Sequence, residues 1–264
     1  MKSSRLLVPL LALAFSPLAS SNASAAGATP PVDIPAAVQS AVDNGARSDA
    51  DRERDPGDHP ARLLAFADIR PGMRVADVFA GGGYYSELLS HIVGDDGQVA
   101  LINNVAYDHF ARDQLKQRLG NERLPNVEHL TVESCNLQLG RNAYDRLIMI
   151  KSLHDIYYAD PANAWPAIDS GHFIRQLYDG LKPGGSLLVV DHSAVAGSGS
   201  TAAQTLHRID EAFIRGELEA AGFVFDGSLD LYRNAGDERR IGAPDPAIKG
   251  HTDRFVHRYR KPVQ

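Results

Sequence analysis

Between residues 74 and 190 the chain alternates short, nearly unbroken apolar runs with longer stretches of helical period. The runs 74–79, 98–102, 127–132, 144–150 and 186–190 read as strands covered on both faces, because strands with one wet face would alternate instead. Between the first two, Tyr85, Leu88, Leu89 and Ile92 share one face at i, i+3, i+4 and i+7. Residues 108–119 make a second helix and 169–181 a third, with Ile174, Leu177, Tyr178 and Leu181 on one side. The third stops at "LKPGG", where Pro183 bars continuation and two glycines turn the chain into the next strand. Strand and helix in regular turn predict a parallel sheet with right-handed crossovers, and ligands at the C-terminal edge of its strands.

The two ends break the rhythm. A helix over 210–221 leads into a strand within 223–231, and "DRFVHRYRKP" sets Phe255, His257 and Tyr259 alternately with Val256, Arg258 and Arg260. Two late strands without a helix between them predict an antiparallel addition to the parallel sheet. Upstream, 34–42 is a short helix, "SDADRERDPGD" a charged connection, and 60–67 a second short helix with Pro60 near its start.

The first residues carry a different signature. Lys2 and Arg5 precede the apolar stretch 6–15, and Ala23-Ser24-Ala25 follows as a small-residue cleavage site. This pattern is that of a secretory signal peptide, too short for a transmembrane span, so a periplasmic or secreted protein without a stable membrane anchor is expected. The expected division is a signal peptide over 1–25, a linker with a short helix over 26–46, and one domain over 47–264.

Composition narrows the partners. The 264 residues include 27 Lys and Arg against 33 Asp and Glu, a net charge of −6. An acidic chain without a basic run argues against nucleic acid as the main partner. The lone Cys135 excludes an intrachain disulfide and is expected to be a buried thiol rather than a nucleophile. Nothing in the pattern specifies an oligomeric state.

The candidate chemistry begins at "VADVFAGGGYYSELL". Asp77 closes a strand, and Gly81, Gly82 and Gly83 let main chain approach a ligand beside the free N–H groups of the following helix. A phosphate-cradling NTPase loop would need Gly-Lys-Ser/Thr, which is absent. A dinucleotide fingerprint would need a third glycine where Ser86 stands, and an acid about 20 residues on, where Asn103 and Asn104 stand. An NAD(P) oxidoreductase is therefore less supported. A tight turn with no ligand also stays open.

The ensemble decides more than the loop. "RPGMRVADVFAGGGYYSELLS", "GDDGQVALINN", "NVEHLTVES", "YDRLIMIKSLHDIY" and "LKPGGSLLVVDHS" occur in the order and spacing of class I S-adenosylmethionine-dependent methyltransferases, which the chain resembles from about residue 47 to 262. More narrowly, "HPARLLAFADIRPGM", "DHSAVAGSG" and "LHRIDEAFIRGELEAAGF" resemble a branch of exported bacterial methyltransferases. The resemblance implies an α/β, doubly wound, Rossmann-like sheet of seven strands, mostly parallel with an antiparallel C-terminal strand. It implies S-adenosylmethionine as cofactor and a small-molecule methyl acceptor. Asp77, Gly81, Gly82 and Gly83 would lie around the methionine moiety, Asn103 at the ribose, and Glu133 with Ser134 at the adenine. Phe79 replaces a glycine of the pattern and Asn103 its acid. The competing reading is a binding module of this fold that has lost or exchanged its cofactor.

Strand ends supply the candidates for acting on an acceptor. "SLHDIYY" sets His154 and Asp155 after the fourth strand, and "VVDHS" sets Asp191 and His192 after the fifth. Methyl transfer to a hydroxyl or amine needs an in-line nucleophile and a base, and His154 or His192, with Asp155, is the set that would serve. His207 or Arg208 would reach the same edge, while Asp210 caps a helix. Tyr84, Tyr85, Tyr157, Tyr158 and Trp165 would wall an acceptor site or pack the core. His154, Asp155, His192, His207 and Asp210 include no HxH or HxxxH pair, so no metal site is expected.

Overall fold

The structure is a computed structural model that describes residues 33–263. The expected leader lies outside the described residues. The strands are β1 (Arg74–Val78), β2 (Gln98–Asn103), β3 (Val127–Thr131), β4 (Tyr144–Ile150), β5 (Leu181–His192), β6 (Val224–Ser228) and β7 (Arg254–Arg260). They form one sheet in the order β3-β2-β1-β4-β5-β7-β6. Neighbours from β3 to β5 run parallel, and β7 is antiparallel to both β5 and β6, as the two ends of the pattern predicted.

Helices α1 (Ala36–Val42), α2 (Asp49–Asp58) and α3 (Pro60–Phe66) precede the sheet. Helices α4 (Tyr84–Val93), α5 (Val105–Leu119), α6 (Ser170–Gly180), α7 (Ala203–Leu206) and α8 (Glu211–Ala220) follow among the strands. Alternate residues of each inner strand go to opposite faces, which is why both parities had to be apolar. Val75, Ile148, Leu188 and Val190 pack against Leu63 of α3 and Leu88 and Leu89 of α4. Ala76, Val78, Leu147, Met149, Leu187 and Val189 pack against Phe173 and Leu177 of α6 and Ile214 and Leu218 of α8. Each such side chain contributes about 1.5–3 kcal/mol by leaving water. Val38 and Ala41 of α1 join the first layer, so the packed unit begins upstream of residue 47. No described helix is long and apolar enough to cross a membrane.

The structure corrects three local expectations. Residues 49–58 are a helix and not an open connection. Ser48 caps it by accepting from the Asp51 N–H (3.1 Å), and its charges find partners: Asp51 with Arg118, Asp55 with Arg47, Asp58 with Arg54 and Lys151. Strand β3 is at the sheet edge with Glu128, His129 and Thr131 exposed, since no strand among the described residues pairs with its outer side. Strand β5 begins at Leu181, which pairs with Tyr144 across a register shift.

The strand order reverses between β1 and β4, whose neighbours β2 and β5 lie on opposite sides. In open α/β sheets the crevice outside the C-terminal ends at such a point is where ligands bind.

Candidate functional site

The glycine loop is built from local constraints. Phe79 leaves β1 in the left-handed region (φ +57°), followed by Gly81 (φ +58°) and Gly83 (φ +76°). A side chain at Gly83 would collide with Leu101 at 2.7 Å, so that glycine serves packing. Asn103, fully buried at the end of β2, staples the loop: its Oδ1 accepts from the Gly81 N–H and its amide donates to the Gly81 carbonyl, each at 3.0 Å. The same amide also donates to Asp108 (2.9 Å). Arg118 Nε donates to the Gly82 carbonyl (2.6 Å) while its other nitrogens hold Asp51 and Glu87, tying α2 and α4 to the loop. Asp77 accepts from Ser86 Oγ (2.7 Å), and burial pushes its carboxyl up to about 7 against that bond.

Phe79, 3 % exposed, stacks on Tyr107 with centroids 5.0 Å apart, and Phe173 and Trp165 lie at 5.3 and 5.9 Å. A Cβ added at Gly81 would meet the Tyr107 and Phe110 rings at 3.9 Å. Glu133 is exposed, and Ser134 gives its carbonyl to Gln176 (3.1 Å). Neither lines either of the two cavities at this edge. The structure therefore does not gather Asn103, Glu133 and Ser134 around one hollow. Cys135, expected inside, is exposed on the loop after β3.

Two adjoining cavities do open at the reversal point. One of about 480 Å3 lies between α2 and the loop, bordered by Ala80, Gly82, Tyr84, Tyr85, Ile150 and Lys151. The other, about 740 Å3, is bordered by Arg54, Asp58, Lys151, His154, Asp155, His192, His207 and Arg254. Arg54 and Lys151 border both, so the two are one cleft over the ends of β1, β4 and β5. Lys151 stands immediately after β4 in the left-handed region (φ +62°) and donates to Asp58 (2.9 Å). Burial lowers the Lys151 ammonium although Asp58 opposes it, and the charges of Lys151 and Arg54 hold Asp58 below its usual range in spite of burial.

The expected strand-end residues meet in the larger cavity. Asp191 accepts from the backbone N–H of His154 and from His154 Nδ1, both at 2.7 Å, and from the His192 N–H at 2.7 Å. His154 Nε2 lies 3.3 Å from Asp155 Oδ1, and Tyr107 donates to the other oxygen of Asp155 (2.6 Å). Burial lowers the His154 imidazole, but the carboxylates of Asp155 and Asp191 outweigh it and raise it to about 9. Burial and the His154 charge push His192 well below its ordinary value. His192, so lowered, is the freer imidazole, with Nδ1 bonded to Thr252 (2.7 Å). His207 joins the cluster from after α7, whereas Arg208 turns inward and pairs with Asp237 (2.8 Å). Asp210 caps α8 through the Ala212 N–H (3.0 Å). Tyr84 and Tyr85 line the smaller cavity; Tyr157, Tyr158 and Trp165 line neither.

Sequence reading missed Arg54, Asp58, Lys151, Arg254 and Tyr107. Lys151 had a signal, since it directly follows an apolar strand run. The α2 residues had none, because a helix rich in charge has no apolar period to betray which side is covered.

No family model matches the chain. It is 30% identical over 131 residues to the ubiquinone/menaquinone biosynthesis C-methyltransferase UbiE of Legionella pneumophila (strain Paris), a match covering 49% of this chain and 47% of that protein. It is 32% identical over 128 residues to the UbiE protein of Shewanella woodyi, covering 48% and 45%. The chain spans about half the length of these relatives. Among solved structures, a SAM dependent methyltransferase from Aquifex aeolicus is similar at TM-score 0.53 and 21% identity, covering 81% of this chain and 100% of that one. The [4+2]-cyclase SpnF is similar at TM-score 0.54 and 20% identity, covering 84% and 86%. Strand order and these likenesses show that the chain has the α/β fold of the solved methyltransferase structures and is similar over about half its length to C-methyltransferases.

Proposed function

We propose that the protein transfers a methyl group from S-adenosylmethionine to a small molecule held in the cleft over β1, β4 and β5. The observation that carries this reading is the placement of the cleft: it opens where the strand order reverses, against Ala80 and Gly82 of the glycine loop. The partial kinship to C-methyltransferases supports the reaction class. Within the cleft, Arg54, Lys151 and Arg254 offer donors for polar groups of an acceptor. His192, with Nδ1 tied to Thr252 and Nε2 without a partner among the described residues, is the group to take a proton from it.

The residues that the sequence resemblance assigns to the cofactor depart from the usual pattern. Asn103 bonds its amide to the main chain of Gly81, Tyr107 and Phe110 lie beside Gly81, and Glu133 is exposed. Of that motif, Ala80 and Gly82 border an open cavity.

Calorimetric titration of the protein with S-adenosylmethionine and S-adenosylhomocysteine tests this reading. Saturable heat with either ligand, and label transfer from methyl-tritiated S-adenosylmethionine to an acceptor, supports the transferase; no heat at millimolar ligand overturns it. Export is likewise proposed from the leader pattern, and a protein recovered from the periplasm with its N-terminus at Ala26 would bear it out.

A further inference from the structure

We infer that His154, Asp155 and His207 form a binding site for one first-row divalent cation of the Zn2+ type, open towards the cleft. The inference rests on this geometry and not on which reaction the cleft performs. His154 Nε2 lies 3.3 Å from Asp155 Oδ1, which lies 3.6 Å from His207 Nδ1. One donor atom from each residue falls within 4.8 Å of the others. Zinc bonds to nitrogen and oxygen of about 2.0–2.2 Å at tetrahedral angles put neighbouring ligands about 3.3–3.6 Å apart. Both close pairs already stand at that separation.

The atoms behind the donors are arranged as a metal site needs. A ligating histidine commonly gives its other ring N–H to a carboxylate, which orients the ring. Asp191 accepts from His154 Nδ1 at 2.7 Å, leaving Nε2 to face Asp155. Tyr107 occupies Asp155 Oδ2, leaving Oδ1 to face both histidines. His207 sits in the left-handed region (φ +51°), a conformation that costs energy outside glycine, with its ring against Tyr158 at 4.9 Å. His154 and Asp155 are buried, His207 is half-buried, and all three border the 740 Å3 cavity. Three protein ligands with a fourth direction open to a cavity is the pattern of catalytic rather than structural zinc. The nearby cations face another carboxylate, Lys151 and Arg254 lying 2.9 and 3.9 Å from Asp58. Two imidazoles and a carboxylate select Zn2+, Co2+ or Fe2+ over Mg2+ and Ca2+, which prefer oxygen alone. The site escaped sequence spacing because His207 arrives from a separate segment.

The test uses the full chain, purified without a polyhistidine tag, stripped with a chelator and titrated with Co2+. The expected result is a visible Co2+ absorption band that saturates at one equivalent and is removed by one equivalent of Zn2+ but not by a large excess of Mg2+. His154→Ala and His207→Ala should abolish the band, and Asp191→Asn should weaken binding by about 10–100-fold as a positioning residue. His109→Ala, at an exposed histidine elsewhere, should change nothing. Circular dichroism verifies each fold, and if His154→Ala fails to fold, the half-exposed His207→Gln carries the test. No saturating band, a band indifferent to His207 substitution, or displacement by Mg2+ would overturn the inference and leave a hydrogen-bonded His–Asp cluster.

Discussion

Phe79 and Tyr107 lie ring on ring, 5.0 Å apart and 19° from parallel, and the Tyr107 hydroxyl carries that stack to Asp155 at the cleft. The pair packs beside the glycine loop and at the same time holds a carboxylate of the histidine cluster. Its removal should therefore be felt on both sides. For Phe79→Gly we expect a net destabilisation of about 2–4 kcal/mol in urea unfolding. The lost ring costs more, but glycine relieves the left-handed φ. S-adenosylhomocysteine should bind at least about tenfold tighter, a gain of about 1.4 kcal/mol, in calorimetry of the folded variant. Unchanged affinity would show that the ring does not control access.

Arg118 joins the loop to α2 through Gly82 and Asp51. Arg118→Met keeps the stem but strands the Asp51 carboxylate, whose side chain is 8% exposed. Leaving one member of a buried pair alone costs about 3–5 kcal/mol. Limited proteolysis should then cut within 47–58 faster than in the parent protein, and an unchanged cleavage pattern would refute this anchoring.

Asp77 gives a pH signature. Burial holds its folded carboxyl at about 7, above the 3.8 of an unfolded aspartate. Below pH 3.8 both states are protonated and there is no penalty. Between 3.8 and 7 only the unfolded chain ionises, so native stability falls; above 7 the loss is constant. Melting temperatures of Asp77→Asn should accordingly gain on the parent from pH 4 to 7 and then run parallel. A constant difference across that range would contradict the shift.

Glu211 works in the opposite direction. Burial raises its carboxyl, but bonds from His257 and Arg233 and their charges outweigh it and hold it at about 2, against 4.5 when unfolded. Its contribution is complete above pH 4.5 and is lost as pH falls towards 2. Glu211→Gln should melt earlier than the parent at pH 6 and converge with it near pH 2; a gap that persists in acid would mean that packing, not charge, matters there.

Chain order, element type and the strand-end positions of His154, Asp155, Asp191 and His192 were legible because period and turn chemistry are local properties. The apolar runs could only be strands covered twice, and the ends of parallel strands necessarily share an edge. What each strand-end side chain does was another matter. That Asn103 bonds the main chain of Gly81, and that Glu133 is exposed, only the packing of separate segments shows. The charged stretch over 49–58 reads as a loop because its helix is held by ion pairs to residues far along the chain.

The sequence by itself determined the layered α/β sheet, its antiparallel ending and the edge at which chemistry would gather, since these follow from hydrophobic period and chain connectivity. Only the tertiary structure decided which donors converge. His154 and His207 meet at Asp155 although α6, β5 and α7 intervene in the chain, and Phe79 lies ring on ring with Tyr107. Distances between segments remote in sequence depend on packing, and packing has no period to read.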